Sequence, residues 1–154
     1  MEIRIRRAEL DEATALTEIA HAAKRHWGYP ETWIEHWKDE LTISPEFIAG
    51  SEMYVALVND QIVGCCALVF SGSNAELEHM WIRPEHMGNG VGRALFRHTR
   101  QRAQELNFSV MELSADPNAE GFYKRMGAEH CGEVRSEIDG LPRVLPRMKV
   151  NLKS

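Results

Sequence analysis

The stretch AELEHMWIRPEHMGNGVGR, residues 75–93, holds an apolar-rich strand that stops at Pro84 and three glycines on alternate positions, Gly88, Gly90 and Gly92, that lead into a helical pattern. Backbone amides collected at a helix start form an anion cradle. Two familiar cradles do not fit. A dinucleotide fingerprint accommodates Gly88 and Gly90, and Glu112 lies about twenty residues on, but Arg93 stands where the third glycine belongs. A phosphate-binding P-loop needs Gly-Lys-Ser/Thr, which is absent. Three glycines in five residues are entropically costly for a loop that merely turns the chain.

Working outward, the patterns alternate between strand and helix. Residues 2–7 alternate Ile3 and Ile5 with charges, as a half-buried strand does. From Glu9, Leu10, Ala13, Leu16, Ile19, Ala20 and Ala23 recur at helical steps, and Gly28 with Pro30 stops the helix. Residues 31–41 form a second helix carrying Trp33, Trp37 and Leu41 on one face, followed by a connector with a helical turn after Pro45. Residues 53–58 and 62–70 read as a hairpin around Asn59 and Asp60, with Gly64 marking a bulge, and residues 75–82 follow as the next strand. After the glycine helix come a strand at 108–113, a helix opened by Asp116 and Pro117 and ended by Gly127, and two strands at 129–138 and 144–152. Pro146 predicts an irregular or edge strand. The order implies an α/β fold in one domain over residues 1–154, with a right-handed crossover from the glycine strand to residues 108–113 and a ligand at the sheet's open end.

Composition narrows the function. A chain of 154 residues with 44% hydrophobic and 27% charged residues is ordinary globular material, and its net charge of −5 argues against a nucleic-acid partner. The three cysteines are odd in number, and Cys65 and Cys66 point to opposite faces of one strand, so no disulfide framework is expected. No metal site is expected. The N-terminus has no apolar leader and no run is long enough to cross a bilayer, which predicts a cytoplasmic protein with no membrane contact.

A third candidate for the cradle is acyl-coenzyme A, whose pyrophosphate needs a cluster of amides. Residues 82–95, IRPEHMGNGVGRAL, resemble the acetyl-CoA-binding motif of the GNAT N-acetyltransferase superfamily, and residues 116–128, DPNAEGFYKRMGA, resemble its second motif at the expected distance. The element order is similar to that family over nearly the whole chain. The resemblance implies a GNAT fold: a mixed, mostly antiparallel sheet of about seven strands flanked by about four helices. It implies an acetyl-CoA-dependent enzyme that moves an acetyl group to the amine of a small molecule or peptide by direct attack through a tetrahedral intermediate. A non-catalytic acyl-CoA-binding or sensor module of the same fold is the alternative. Cofactor contacts are implied at Met80, Trp81 and Ile82, at Met87, Gly88, Asn89, Gly90, Val91, Gly92 and Arg93, and at Asp116, Asn118 and Tyr123. Met87 replaces the family's frequent Gln or Arg, and Asp116 replaces its common Asn, so Asp116 serves either the pantetheine arm or only as a helix cap.

A free alkylamine with a pKa of about 10.4 is protonated at neutral pH and needs a base before it can attack. The resemblance places that base at Glu76, with Glu78 on the same face as the runner-up and His79 as a third candidate; the other reading of both glutamates is solvent-facing strand carboxylates. Tyr123 matches the family's tyrosine, an acid for the departing thiolate, or else a helix aromatic packed on the sheet. Trp27, Tyr29, Trp33 and Trp37 are either packing aromatics or the wall of an acceptor pocket, which with Glu76 and Glu78 suits a cation carrying an apolar part. The last two strands, with Ser136 and Arg143, close that pocket or form a homodimer contact.

Overall fold

The computed structural model describes residues 2–153. Seven strands make one sheet in the order β1-β2-β3-β4-β5-β7-β6: β1 Arg4–Arg7, β2 Glu52–Val58, β3 Gln61–Ser71, β4 Asn74–Ile82, β5 Val110–Ser114, β6 Glu129–Ile138 and β7 Leu141–Asn151. Every neighbouring pair is antiparallel except β4 with β5. Six helices flank it: α1 Ala13–His26, α2 Glu31–His36, α3 Lys38–Leu41, α4 Pro45–Gly50, α5 Val91–Glu105 and α6 Glu120–Arg125. The predicted helix at 31–41 is interrupted at Trp37, and the turn after Pro45 is a full helix capped by Ser44, whose side chain accepts from the Phe47 amide. Among the described residues no helix is long and apolar enough to cross a membrane.

The sheet separates two apolar layers. Val91, Leu95, Phe96 and Ala103 of α5 and Tyr123 of α6 pack on one face, against Cys66, Leu68, Ala75, Leu77 and Met111. On the other face, Leu16 and Ile19 of α1 and Ile48 of α4 meet Val55, Cys65 and Ala67. Cys65 and Cys66 therefore do face opposite layers, and both are reduced. The hairpin turn at Asn59 and Asp60 has positive φ at both residues, as the tightest hairpin connection requires.

Pro146 lies in an internal strand, contrary to the edge expectation, because β6 is the edge. The amide and carbonyl of a strand residue point to the same neighbour. The Pro146 carbonyl accepts from Ala115, just past the last β5 pair at Ser114 and Arg147, so the missing N–H costs no ladder bond to β6. The edge strand itself is exposed along almost its whole length and carries Glu133, Arg135 and Glu137, charges that discourage edge pairing.

Gly64 sits beside the register break between β2 and β3 at Ala56/Leu57. A Cβ there would lie 2.9 Å from Ile82 Cδ1, 3.0 Å from the Trp81 carbonyl oxygen and 3.1 Å from Val91 Cγ1. This close approach seats the end of β4 and the start of α5 against β3. Gly64→Val is expected to lower unfolding stability by about 1–3 kcal/mol through overpacking, read by denaturant titration.

Candidate active site

Strands β4 and β5 pair only at Ala75 with Met111 and Glu76 with Glu112, then splay. Beyond Glu76, β5 bonds only to β7, so one edge of β4 faces open space. A second break lies within β4. Ala67 pairs with Glu78 but Cys65 pairs with Trp81, so one extra β4 residue is accommodated and His79 takes φ of 52°. This bulge reverses the alternation of faces. Ala75 and Leu77 face the α5 layer together with Met80 and Ile82, whereas Trp81 packs against the α1 layer.

The bulge is braced from both sides. Trp81 Nε1 donates to His79 Nδ1 at 3.1 Å, and Phe47 packs edge-on against the imidazole with centroids 5.1 Å apart. Burial pushes the His79 pKa down to about 4, so the ring stays neutral with its proton on Nε2. His79 is a support for the bulge and not the base the sequence allowed for.

At the end of β4 the cradle is built as predicted. Gly88 and Gly90 adopt φ of 82° and 87°, and Gly90 is the N-cap of α5. Among the described residues, no backbone or side-chain acceptor takes the amides of Gly88, Gly90, Val91, Gly92 and Arg93. A Cβ at Gly88 or Gly90 would meet nothing within 4 Å, so the space above them is open. The Asn89 amide is turned to the His86 carbonyl instead, and the Val91 side chain is buried in the core, so Val91 offers only its amide.

Cradle, open edge and α6 border one groove of about 870 Å³, the size of a cofactor site. Met80, Trp81, Ile82, Met87, Gly88, Gly90, Gly92, Arg93, Asp116, Asn118 and Tyr123 line it, as do Glu76 and Glu78. Tyr123 is buried between Phe96 and Phe122, yet its hydroxyl bonds to no described residue. Burial, then the neighbouring Cys66 and Asp116, push its phenol well above the ordinary tyrosine range. It stays protonated at any neutral pH.

The two glutamates differ. Glu76 is gripped by both terminal nitrogens of Arg147, which also reaches Ser114 at 3.0 Å and Glu112 at 3.4 Å. Both of its oxygens are engaged by Arg147, which ties β4 to β7. Glu78 is an exposed residue of β4 that lines the groove, and its carboxylate meets no hydrogen-bond donor among the described residues. Burial first, and then the Glu76 charge, raise its pKa, against a smaller lowering by Arg147.

The aromatic cluster divides. Trp27 and Trp37 line the groove; Tyr29 and Trp33 do not. Trp33 Nε1 donates to Asp139 at 2.6 Å, tying α2 to the β6–β7 turn. The faces of Tyr29 and Trp37 are already covered by the protein's own cations. Lys24 Nζ lies 5.1 and 4.5 Å from their centroids, and Arg143 Cζ 4.9 and 4.8 Å. Both cations bond to Asp116, Lys24 at 2.7 Å and Arg143 at 3.3 Å, and the Tyr29 hydroxyl donates to the same carboxylate at 3.0 Å. Asp116 also accepts from the Asn118 amide, and Asn118 Nδ2 donates to Tyr29. Thus Asp116 caps its turn and knots α1 to β7. Burial would raise its pKa, but the Lys24 ammonium and these donors outweigh it and hold the carboxylate ionised.

Lys24 is a groove residue that the sequence reading passed over. Its signal was a lysine one turn beyond Ala20 on the apolar stripe of α1, a position that buries its side chain. Ser136 and Arg143 line the groove as well.

A family profile described as an acetyltransferase (GNAT) domain matches residues 49–127. The chain is 34% identical over 105 residues to the peptidyl-lysine N-acetyltransferase YjaB of Escherichia coli (strain K12), a match covering 68% of this chain and 66% of that one. It is 34% identical over 90 residues to streptothricin acetyltransferase of Streptomyces lavendulae, covering 54% and 48%. The chain thus spans about two thirds of the one relative's length and about half of the other's. In fold it is similar to the PaiA N-acetyltransferase from Thermoplasma acidophilum solved in complex with coenzyme A, with a TM-score of 0.77, 20% identity and coverage of 98% and 99%. Unpaired amides at an open cradle, a strand edge left bare and a protonated phenol beside them fit the acetyl-CoA that such enzymes use, and the chain belongs to the GNAT acetyltransferase family.

Proposed function

We propose that the chain moves the acetyl group of acetyl-CoA to a primary alkylamine by direct attack, with Glu78 as the base and Tyr123 as the acid. The observation that carries this reading is the sharing of one groove by the amide cradle, the bare edge of β4, an unpaired glutamate and an unpaired phenol. Bound acetyl-CoA supplies an acyl group already activated as a thioester. The amides of Gly88, Gly90, Val91, Gly92 and Arg93 would hold its pyrophosphate, and the Met80–Ile82 backbone would align its arm. Glu78, its pKa raised by burial and by the Glu76 charge, relieves the incoming ammonium of one proton. Tyr123 holds the proton that the leaving sulfur takes as the C–S bond breaks.

The acceptor end is framed by Trp27, 39% exposed, and by the exposed edge strand β6. Such an opening admits a side chain presented from a peptide, and YjaB is named for peptidyl-lysine. A lysine side chain of a peptide is accordingly the acceptor we favour over a free small molecule. The aromatic faces of Tyr29 and Trp37 take no part in holding it, since Lys24 and Arg143 cover them.

The test joins calorimetry with thiol release. Acetyl-CoA should bind, and a panel of lysine peptides, polyamines and aminoglycosides should release free thiol for at least one member. Binding with silence across the panel would leave a non-catalytic acyl-CoA module. The acid limb of kcat/KM should follow Glu78: activity rises with pH as the carboxylate ionises. Arg147→Met removes a cation that lowers the Glu78 pKa, so the limb should move to higher pH; Glu76→Gln removes a charge that raises it, so the limb should move lower. Glu78→Gln should abolish the limb altogether, and an unchanged limb in that variant would remove Glu78 as the base.

A further inference from the structure

The most enclosed lysine of the chain lies inside the groove. Lys24 has a side chain 11% exposed, with its Nζ 2.7 Å from Asp116 and laid over the Tyr29 and Trp37 rings. It lines the same groove as Tyr123, Gly88 and Gly90. Asp116 links the two ends of the chemistry: it bonds the Lys24 ammonium directly, and its charge is felt at the Tyr123 phenol. An amine is thus held one carboxylate away from the group read as the acid.

We propose that Lys24 is a self-acetylation site, taking the acetyl group of bound acetyl-CoA when no acceptor amine occupies the groove. The inference rests on the acetyl-transfer reading above. Two aromatic faces, Asp116 and the flanking Arg143 confine Nζ to one position, which replaces a bimolecular encounter by a local one. Burial first, and also the Arg143 charge, ease the loss of its proton, against the hold of Asp116. Enclosure also keeps other enzymes away from it.

The step balances as follows. Nζ gives one proton to groove water and its freed electron pair attacks the thioester carbonyl carbon. The C–N bond forms, the C–S bond breaks, and the departing sulfur takes the Tyr123 proton. The second proton given up by Nζ returns to Tyr123. One N-acetyl-lysine, one coenzyme A thiol and one proton result. The amide no longer carries charge, so the Lys24–Asp116 ion pair is lost and Asp116 keeps only Arg143 and its hydroxyl and amide donors.

The purified chain is incubated with acetyl-CoA and no amine, then digested, and acetylation is quantified at each lysine by mass spectrometry. Lys38, Lys124 and Lys153 are exposed and report spontaneous acetylation in the same sample. Lys24 should be acetylated at least about tenfold faster than these three, because its amine is confined in the groove that it shares with Tyr123 and the glycine cradle. Added coenzyme A should suppress the Lys24 product and leave the exposed lysines unaffected. Tyr123→Phe, whose ring still packs, should slow Lys24 acetylation alone. Lys24 left bare while calorimetry shows acetyl-CoA bound would overturn this inference and spare the functional reading. Modification at the rate of the exposed lysines and indifferent to coenzyme A would overturn it equally. Failure to bind acetyl-CoA at all would overturn both.

Discussion

Tyr123→Phe is expected to lower kcat about a hundredfold or more while leaving acetyl-CoA affinity unchanged, the signature of a lost proton donor. The ring is fixed by Phe96 and Phe122 and lies in the α5 layer, and phenylalanine keeps that packing. The hydroxyl bonds to no described residue, so its removal strands no buried partner. What disappears is one proton, held by a phenol whose pKa burial has raised. Stopped-flow or coupled thiol assays give kcat, and calorimetry gives the affinity. Retention of kcat within about threefold would make Tyr123 a packing residue, since a working general acid contributes at least about a hundredfold.

Gly90→Val is expected to weaken acetyl-CoA binding about a hundredfold or more. Two consequences of the same residue separate here. The φ of 87° is strained for any residue with a Cβ, which costs the fold about 1–2 kcal/mol. That loss is tolerable for a domain of this size. The space a Cβ would enter is free of protein atoms to 4 Å, so the branched side chain projects where the ligand's phosphates belong. Hydrogen bonds to a charged group are worth about 1.5–3 kcal/mol each, and blocking two amides reaches a hundredfold in Kd. Calorimetry with acetyl-CoA checks the affinity, and a denaturant curve shows that the variant still folds. Undiminished affinity would mean that the phosphates are bound elsewhere.

The cradle, the Tyr123 helix and the crossover between β4 and β5 were legible because each is written locally: glycines at alternate positions, Pro117 at a helix start, a period that changes from two to near four. Features made by distant partners were not. Glu76 meets Arg147 across 71 residues, and Lys24 meets Asp116 across 92, and neither pairing leaves a mark in the local pattern. The aromatic cluster reads either as packing or as a pocket wall because composition records the rings and not the cations already lying on them. The bulge at His79 was hidden for a related reason. Nothing in AELEHMWI demands a positive φ, and the bulge depends on Phe47 and on the pairing with β3. Pro146 misled in the opposite direction, since its missing N–H fell where β5 had already ended.

The bare edge of β4 also makes a statement about motion. From Leu77 to Ile82 the strand is bonded on its β3 side only, so the amides that point toward β5 have water for a partner until a ligand arrives. Amide hydrogen exchange should therefore be fast at alternate positions of this half-strand in the free protein, although it lies in the middle of the sheet. An extended pantetheine arm, with amide groups of its own, would lie in the slot as a short surrogate strand. Slowed exchange confined to that edge on adding coenzyme A would show the ligand finishing a sheet that the polypeptide leaves incomplete.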